Sequence, residues 1–220
     1  MNNSTVRIDR RSFLKGSCKV TAGLALAFNF GCSIRKNIPQ DRLVSLVYAT
    51  RYGSTQDTAT WIKNGIGSNV DLVNLETADL KDILAKDALF ILGSGIWIGG
   101  VHAKLKELAK MESLKPQKRV IASFVVCGTQ GKNIAEQQRI DEYLSQIHNP
   151  LGYAPQFSNH FGGRLVVDEL NAEDKEALTR FYRTYKKQEL HSWDRTSPST
   201  ATEFGANLAP VLTEKNVNKV

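Results

Sequence analysis

The chain has 220 residues, of which 29 are basic and 22 acidic, for a formal net charge of +7. That length suits one well-buried domain with extensions and is short for two full ones. Five of the basic residues and one acidic residue lie within the first 32, so the remainder carries only +3; with no block of five like charges and no basic stripe interleaved with aromatics, nucleic acid is excluded as an expected partner.

In chain order, Arg7, Arg10, Arg11, Lys15 and Lys19 precede the weakly apolar run from Val20 to Phe28. This is the charged-then-apolar layout of a secretory signal, and the apolar part is too short to span a bilayer as an ordinary helix. The stretch DRRSFLKG, Asp9 to Gly16, resembles the twin-arginine export signal, which is associated with proteins exported already folded, often around a cofactor. Residues 1–32 are therefore read as a signal segment, 33–42 as a linker and 43–209 as the domain, with residues 210–220 as a disordered tail. The expected location is periplasmic, or membrane-associated on the outer side. Cys32 is a candidate lipid anchor, although Asn29 stands where a lipobox usually has leucine. Cys18, Cys32 and Cys127 make neither a disulfide framework nor a paired-cysteine metal or iron–sulfur spacing.

From residue 43, β-rich runs alternate with helix-like stretches. Leu43 to Ala49 predicts a strand, and Ser54 to Ile66 a helix with Ala59, Ile62 and Ile66 on one face. Val70 to Leu75 predicts a short strand and Asp79 to Leu84 a helical turn or two opened by an acidic cap. Ala88 to Gly93 is a continuous apolar run, as in a strand buried on both faces. An amphipathic helix over Val101 to Met111 and an apolar strand over Arg119 to Val126 follow. A helix from Ile134 to Ile147 should stop before Pro150. A last strand lies within Phe157 to Val167, then helices over Ala172 to Leu190 and Ser199 to Leu208. This alternation predicts an α/β fold: a doubly wound five-stranded parallel sheet of order 2-1-3-4-5 with helices on both faces. In that order a ligand binds at the carboxyl ends of the strands, near the reversal between the first and third.

The segment joining the first strand to its helix reads Thr50-Arg51-Tyr52-Gly53-Ser54-Thr55. Its backbone amides and the positive end of the helix form an anion site, Gly53 permits the turn, and the hydroxyls of Thr50, Ser54 and Thr55 can donate to phosphate oxygens. It has neither the Gly-Lys-Ser/Thr of a nucleoside-triphosphate loop nor the three glycines of a dinucleotide fingerprint. A serine/threonine helix cap is the plain alternative; a monophosphate, that of flavin mononucleotide (FMN), is the functional reading. This segment resembles the first loop of the flavodoxin family, Thr/Ser-x-Thr-Gly-x-Thr, with Tyr52 in place of a threonine.

Two further glycine-bearing loops fall at the same sheet end. Ser94, Gly95, Ile96, Trp97, Ile98 and Gly99 follow the third strand, with Trp97 offering a π-face beside a flavin ring. Cys127, Gly128, Thr129 and Gln130 follow the fourth and are placed at the other ring edge. Cys127 reads better as a buried inert thiol than as a reactive one. Within flavodoxin-like proteins the chain resembles the menaquinone-dependent protoporphyrinogen oxidases through YATRYGST, LGSGIWIGG and the late FGGRL, Phe161 to Leu165. The resemblance implies FMN, an oxidoreductase activity, and a quinone or a redox partner protein as partner. Where those oxidases commonly carry Ile-Arg-Tyr-Gly, this chain has Ile96-Trp97-Ile98-Gly99. That departure, and the export signal, count against porphyrinogen as substrate.

His102, His148, His160 and His191 show no metal-ligand spacing and read as surface or cap residues, and no Gly-x-Ser-x-Gly occurs. No catalytic acid or base is assigned. The aromatic and basic run from Phe181 to Trp193 reads as a solvated helix face or, second, as a contact with a membrane surface or acidic partner. Three functions stay open: an exported FMN-dependent oxidoreductase, an electron carrier without its own substrate, and a flavin-free binding module.

Overall fold

The computed structural model describes residues 43–214, apart from Ser68 and Asp87. The proposed signal segment, the linker, Cys18, Cys32 and residues 215–220 lie outside the described residues. Five strands form a parallel sheet: β1 Leu43–Ala49, β2 Val70–Asn74, β3 Ala88–Trp97, β5 Val120–Cys127 and β6 Phe157–Gly162, in the spatial order β2-β1-β3-β5-β6. Numbered among themselves these are 2-1-3-4-5, the expected order. A sixth, two-residue strand, β4 Gly100–Val101, pairs antiparallel with β3.

Alternation along each strand feeds two cores. Val47, Ala49, Phe90, Leu92 and Val125 face α3 (Ala103–Lys110) and α4 (Ile134–Leu151), which contribute Leu105, Leu108, Tyr143 and Ile147. Leu46, Tyr48, Leu89, Ile91 and Phe124 face α1 (Ser54–Ile66) and α6 (Pro198–Glu214), which contribute Ala59, Ile62, Phe204 and Leu208. Burial of apolar side chains on both faces is what a parallel sheet requires. The short α2 (Leu80–Ala85) is capped by Asp79, whose side chain accepts from the Lys81 amide, as the acidic cap predicts.

Four boundaries differ from expectation, each through a tertiary contact. The third strand does not end at Gly93. Ser94 pairs with Ala49, Gly95 with Val126, and Ile96 and Trp97 with Val101 and Gly100, so much of the expected loop is strand. Helix α4 runs through Pro150 to Leu151; proline falls at the next-to-last position, where it removes one helical bond, while buried Leu151 and the left-handed Gly152 cap hold the end in place. Helix α5 (Ala172–Phe181) stops nine residues before Leu190 and unwinds through one wide turn, Tyr182–Lys186. Continuing it would carry the chain about 13 Å further along the helix axis, whereas β8 (Trp193–Asp194) must return to pair with β7 (Arg164–Leu165). At the other end, α6 extends past Pro210 to Glu214, into the expected disordered tail, because Leu212 continues the apolar stripe of Ala201, Phe204 and Leu208.

Candidate functional site

At the carboxyl end of the sheet lies a cavity of about 830 Å³. Its first wall is the β1–α1 connection, where Thr50, Arg51, Tyr52, Ser54 and Thr55 line the space. Gly53 does not line it and instead makes the turn: at φ +86 it occupies the left-handed region that glycine enters without strain, and its N–H donates to Thr50 Oγ1 at 3.0 Å. No side chain caps the N-terminus of α1, so its first-turn amides have no side-chain acceptor. The side chain of Thr55 is buried, and a Cβ on Gly95 would come within 2.8 Å of its Oγ1; glycine keeps that space open.

The second wall is the β3–β4 hairpin, from which Gly95, Ile96, Trp97, Ile98 and Gly99 line the cavity. Ser94 is buried behind it, donating from Oγ to the Gly95 carbonyl at 2.8 Å and accepting from the His102 amide at 3.0 Å. Ile98 and Gly99 form the two-residue turn with φ +44 and +83, which places a β-branched side chain in the left-handed region. Gln146 on α4 splints the hairpin, donating to the Gly99 carbonyl and accepting from the Val101 amide, both at 3.1 Å.

Cys127, Gly128 and Thr129 line the third wall, whereas Gln130 is exposed and does not. Burial pushes the Cys127 thiol pKa up, which disfavours the reactive thiolate and agrees with an inert role. Gly128 is covered from outside: a Cβ there would lie 3.0 Å from the Trp193 ring, and the Arg195 guanidinium donates to its carbonyl while stacking on Trp193, with Cζ 4.8 Å from the ring centroid.

That covering belongs to a fourth wall, built by residues 164–195, which the sequence reading did not place at the site. The run from Phe181 to Trp193 is neither a continuous helix nor wholly solvated: Phe181, Tyr182 and Trp193 line the cavity, and Trp193 Nε1 donates to the Tyr182 hydroxyl at 2.7 Å. Arg164 lines it as well, paired with Asp57 of α1 at 3.1 Å. The charges facing the cavity are mostly positive, with Arg139 and Lys186 added to Arg51, Arg164 and Arg195 and set against Glu76. Asp174, in the first turn of α5, reaches the first wall: its carboxylate accepts from Arg51 Nε at 2.6 Å, from Arg51 Nη2 and from the Tyr52 hydroxyl.

Of the histidines, His102 lines the cavity with Nε2 2.9 Å from Glu76 Oε1, while its Nδ1 is buried without a partner. His148 is not a surface residue. It is half-buried in the last turn of α4 and reaches the sheet, with Nε2 2.9 Å from Ser123 Oγ and 3.3 Å from Ser158 Oγ, and burial lowers its pKa. His191 stands at the cavity edge near the Glu189 carbonyl.

No curated protein matches the sequence. Among solved structures, the chain resembles rubredoxin:oxygen oxidoreductase from Desulfovibrio gigas (16% identity, TM-score 0.48, 80% of this chain and 38% of that one). It also resembles the Flv1 flavodiiron core of Synechocystis sp. PCC6803 (17%, 0.45, 80% and 37%). A third match is flavodoxin 2 from Bacillus cereus (18%, 0.42, 79% and 99%). This chain thus spans little more than a third of the first two proteins, and scores of that size add nothing to the family assignment. The model of the flavodoxin domain family matches residues 45–191. With that match over two thirds of its length and the sheet order described above, the chain belongs to the flavodoxin-domain family, and the cofactor this implies is FMN.

Proposed function

We propose that the chain is an exported FMN-dependent oxidoreductase that exchanges electrons with a small planar substrate, a quinone among them, inside the cavity. What carries this reading is the fourth wall: Phe181, Tyr182 and Trp193 extend the cavity beyond the three loops that accommodate a flavin, giving a second ring a place to stack. The family's cofactor fits the residues present. The uncapped amides of α1, the Gly53 turn and the hydroxyls of Thr50, Ser54 and Thr55 suit a phosphate dianion, and the space kept by Gly95 lies directly beside them. Trp97 and the Cys127–Thr129 segment would border the ring. When bound, FMN supplies the redox chemistry by accepting and releasing electrons. The protein's share is to hold the phosphate, flank the ring with Trp97, exclude water with the fourth wall and favour an anionic ligand through its surplus of cations.

Export by the twin-arginine route belongs to the same reading, since a cofactor loaded in the cytoplasm needs a carrier exported in folded form. Replacing Arg10 and Arg11 together by lysine is expected to keep the protein inside the cell. The test of function is to purify the full chain, record its visible spectrum, and assay turnover of quinone with a nicotinamide reductant and of porphyrinogen with quinone as the acceptor. A flavin spectrum with one phosphate per flavin and turnover of either compound supports the enzyme. Bound flavin with turnover of neither would mean a carrier, and a colourless protein that stays colourless with added FMN would mean a binding module.

A further inference from the structure

Asp174 is the only charged residue buried among the described residues, at 2% exposure. A buried carboxylate is unfavourable unless it is fully paired, and this one is. Beyond the bidentate Arg51 pair and the Tyr52 hydroxyl, it accepts from Asn171 Nδ2 at 3.3 Å. Asn171 also caps α5 by accepting from the Asp174 amide at 2.8 Å, which fixes the carboxylate's own backbone. The two residues it grips are consecutive in the β1–α1 connection, and both lie against Trp97: the Arg51 guanidinium carbon stands over the indole at 4.5 Å and the Tyr52 ring is tilted against it at 6.1 Å. The guanidinium thus covers a face of the indole, and Trp97 itself lines the cavity.

We propose that Asp174 is a positioning residue for the flavin ring. It holds both arms of the Arg51 fork, and the guanidinium so held fixes the pose of Trp97. A planar fork held by two parallel bonds has one orientation, which a flexible ammonium does not reproduce. The same grip keeps Arg51 from turning toward an anion, so the phosphate is left to amides and hydroxyls. The inference rests on the reading that the flavin lies against Trp97.

The chain has three tryptophans, at 61, 97 and 193, so full-length protein labelled with 5-fluorotryptophan yields three fluorine resonances assignable by single Trp→Phe changes. In D174N the Trp97 resonance is expected to move or broaden in flavin-free protein while that of Trp61 stays. Riboflavin, which has no phosphate, should lose about tenfold in affinity, and FMN less, because the released Arg51 can reach the phosphate. R51K, at a half-exposed side chain, should displace the Trp97 resonance in the same way and provides the test if D174N does not fold. An unmoved Trp97 resonance in the variants that fold, or an equal loss for both flavins, would overturn the proposal and leave Asp174 a structural residue. If the wild type bound neither flavin, the reading of the cavity would fail on its own, and the Trp97 resonance would still decide what Asp174 does.

Discussion

Thr50 and Ile98 represent two kinds of residue at this site. Thr50 obeys local rules: its hydroxyl accepts the Gly53 amide and closes the turn that aims the α1 amides. Valine has the same shape and cannot accept, so T50V strands the Gly53 N–H at a cost of roughly 1 kcal/mol. Isothermal titration should show FMN weakened about fivefold to tenfold and riboflavin unchanged, since the loss falls on the phosphate end. Ile98 breaks the rules. A β-branched residue at φ +44, 45% exposed, carries a strain of order 1–2 kcal/mol where asparagine followed by glycine is the favoured turn. I98N should therefore raise the melting temperature by about 2–4 °C in thermal unfolding followed by circular dichroism. A rule broken at the mouth of a ligand cavity is where a functional constraint on the residue is expected.

At the scale of elements, the contact of α1 with α6 decides how firmly α1 is seated. Gly65 of α1 and Gly205 of α6 each leave room for the partner helix's backbone: a Cβ on Gly205 would overlap the Ile62 carbonyl, and one on Gly65 the Thr202 carbonyl. G205A must push the helices apart, and overpacking of this kind typically removes 1–3 kcal/mol. Urea denaturation should show that loss, while FMN affinity measured well below the melting temperature should hold, because the uncapped amides lie at the opposite end of α1 from Ile66. The elements themselves were legible wherever their cause was local. The first strand, its helix, the acidic cap of α2 and the apolar strand β5 follow from patterns over a few residues. The long third strand and the early end of α5 were not legible, since each depends on partners that become neighbours only when the sheet and the β7–β8 pair form.

For the whole molecule, the buried carboxylate links ligand site and stability. Hydrogen bonding to Arg51, chiefly, holds the Asp174 pKa below its ordinary value. A group whose folded pKa is lowered contributes stability that is complete above its unfolded value, near 4, and is lost as pH falls through the folded one. D174N should thus be much less stable than wild type at pH 7, with the difference narrowing below about pH 4, as urea denaturation at pH 7 and pH 3 would show. A gap unchanged at pH 3 would mean that the pairing contributes no such pH-linked stability.

Read alone, the sequence determined the class of fold, the strand order and the turn at Gly53, because these follow from side-chain period, from the handedness of strand–helix–strand connections and from backbone geometry at single glycines. Only the tertiary structure decided who completes the cavity. Asp174 meets Arg51 across 123 positions and Arg195 meets Gly128 across 67, and nothing local marks either pair. Phe181 and Tyr182 had the spacing of an ordinary helix face, and Trp193 belonged to the same run. What turned them inward was the return of the chain to pair Trp193 with Leu165. Long-range contacts of this sort are selected by the packing of the whole chain, so their partners cannot be read from the residues beside them.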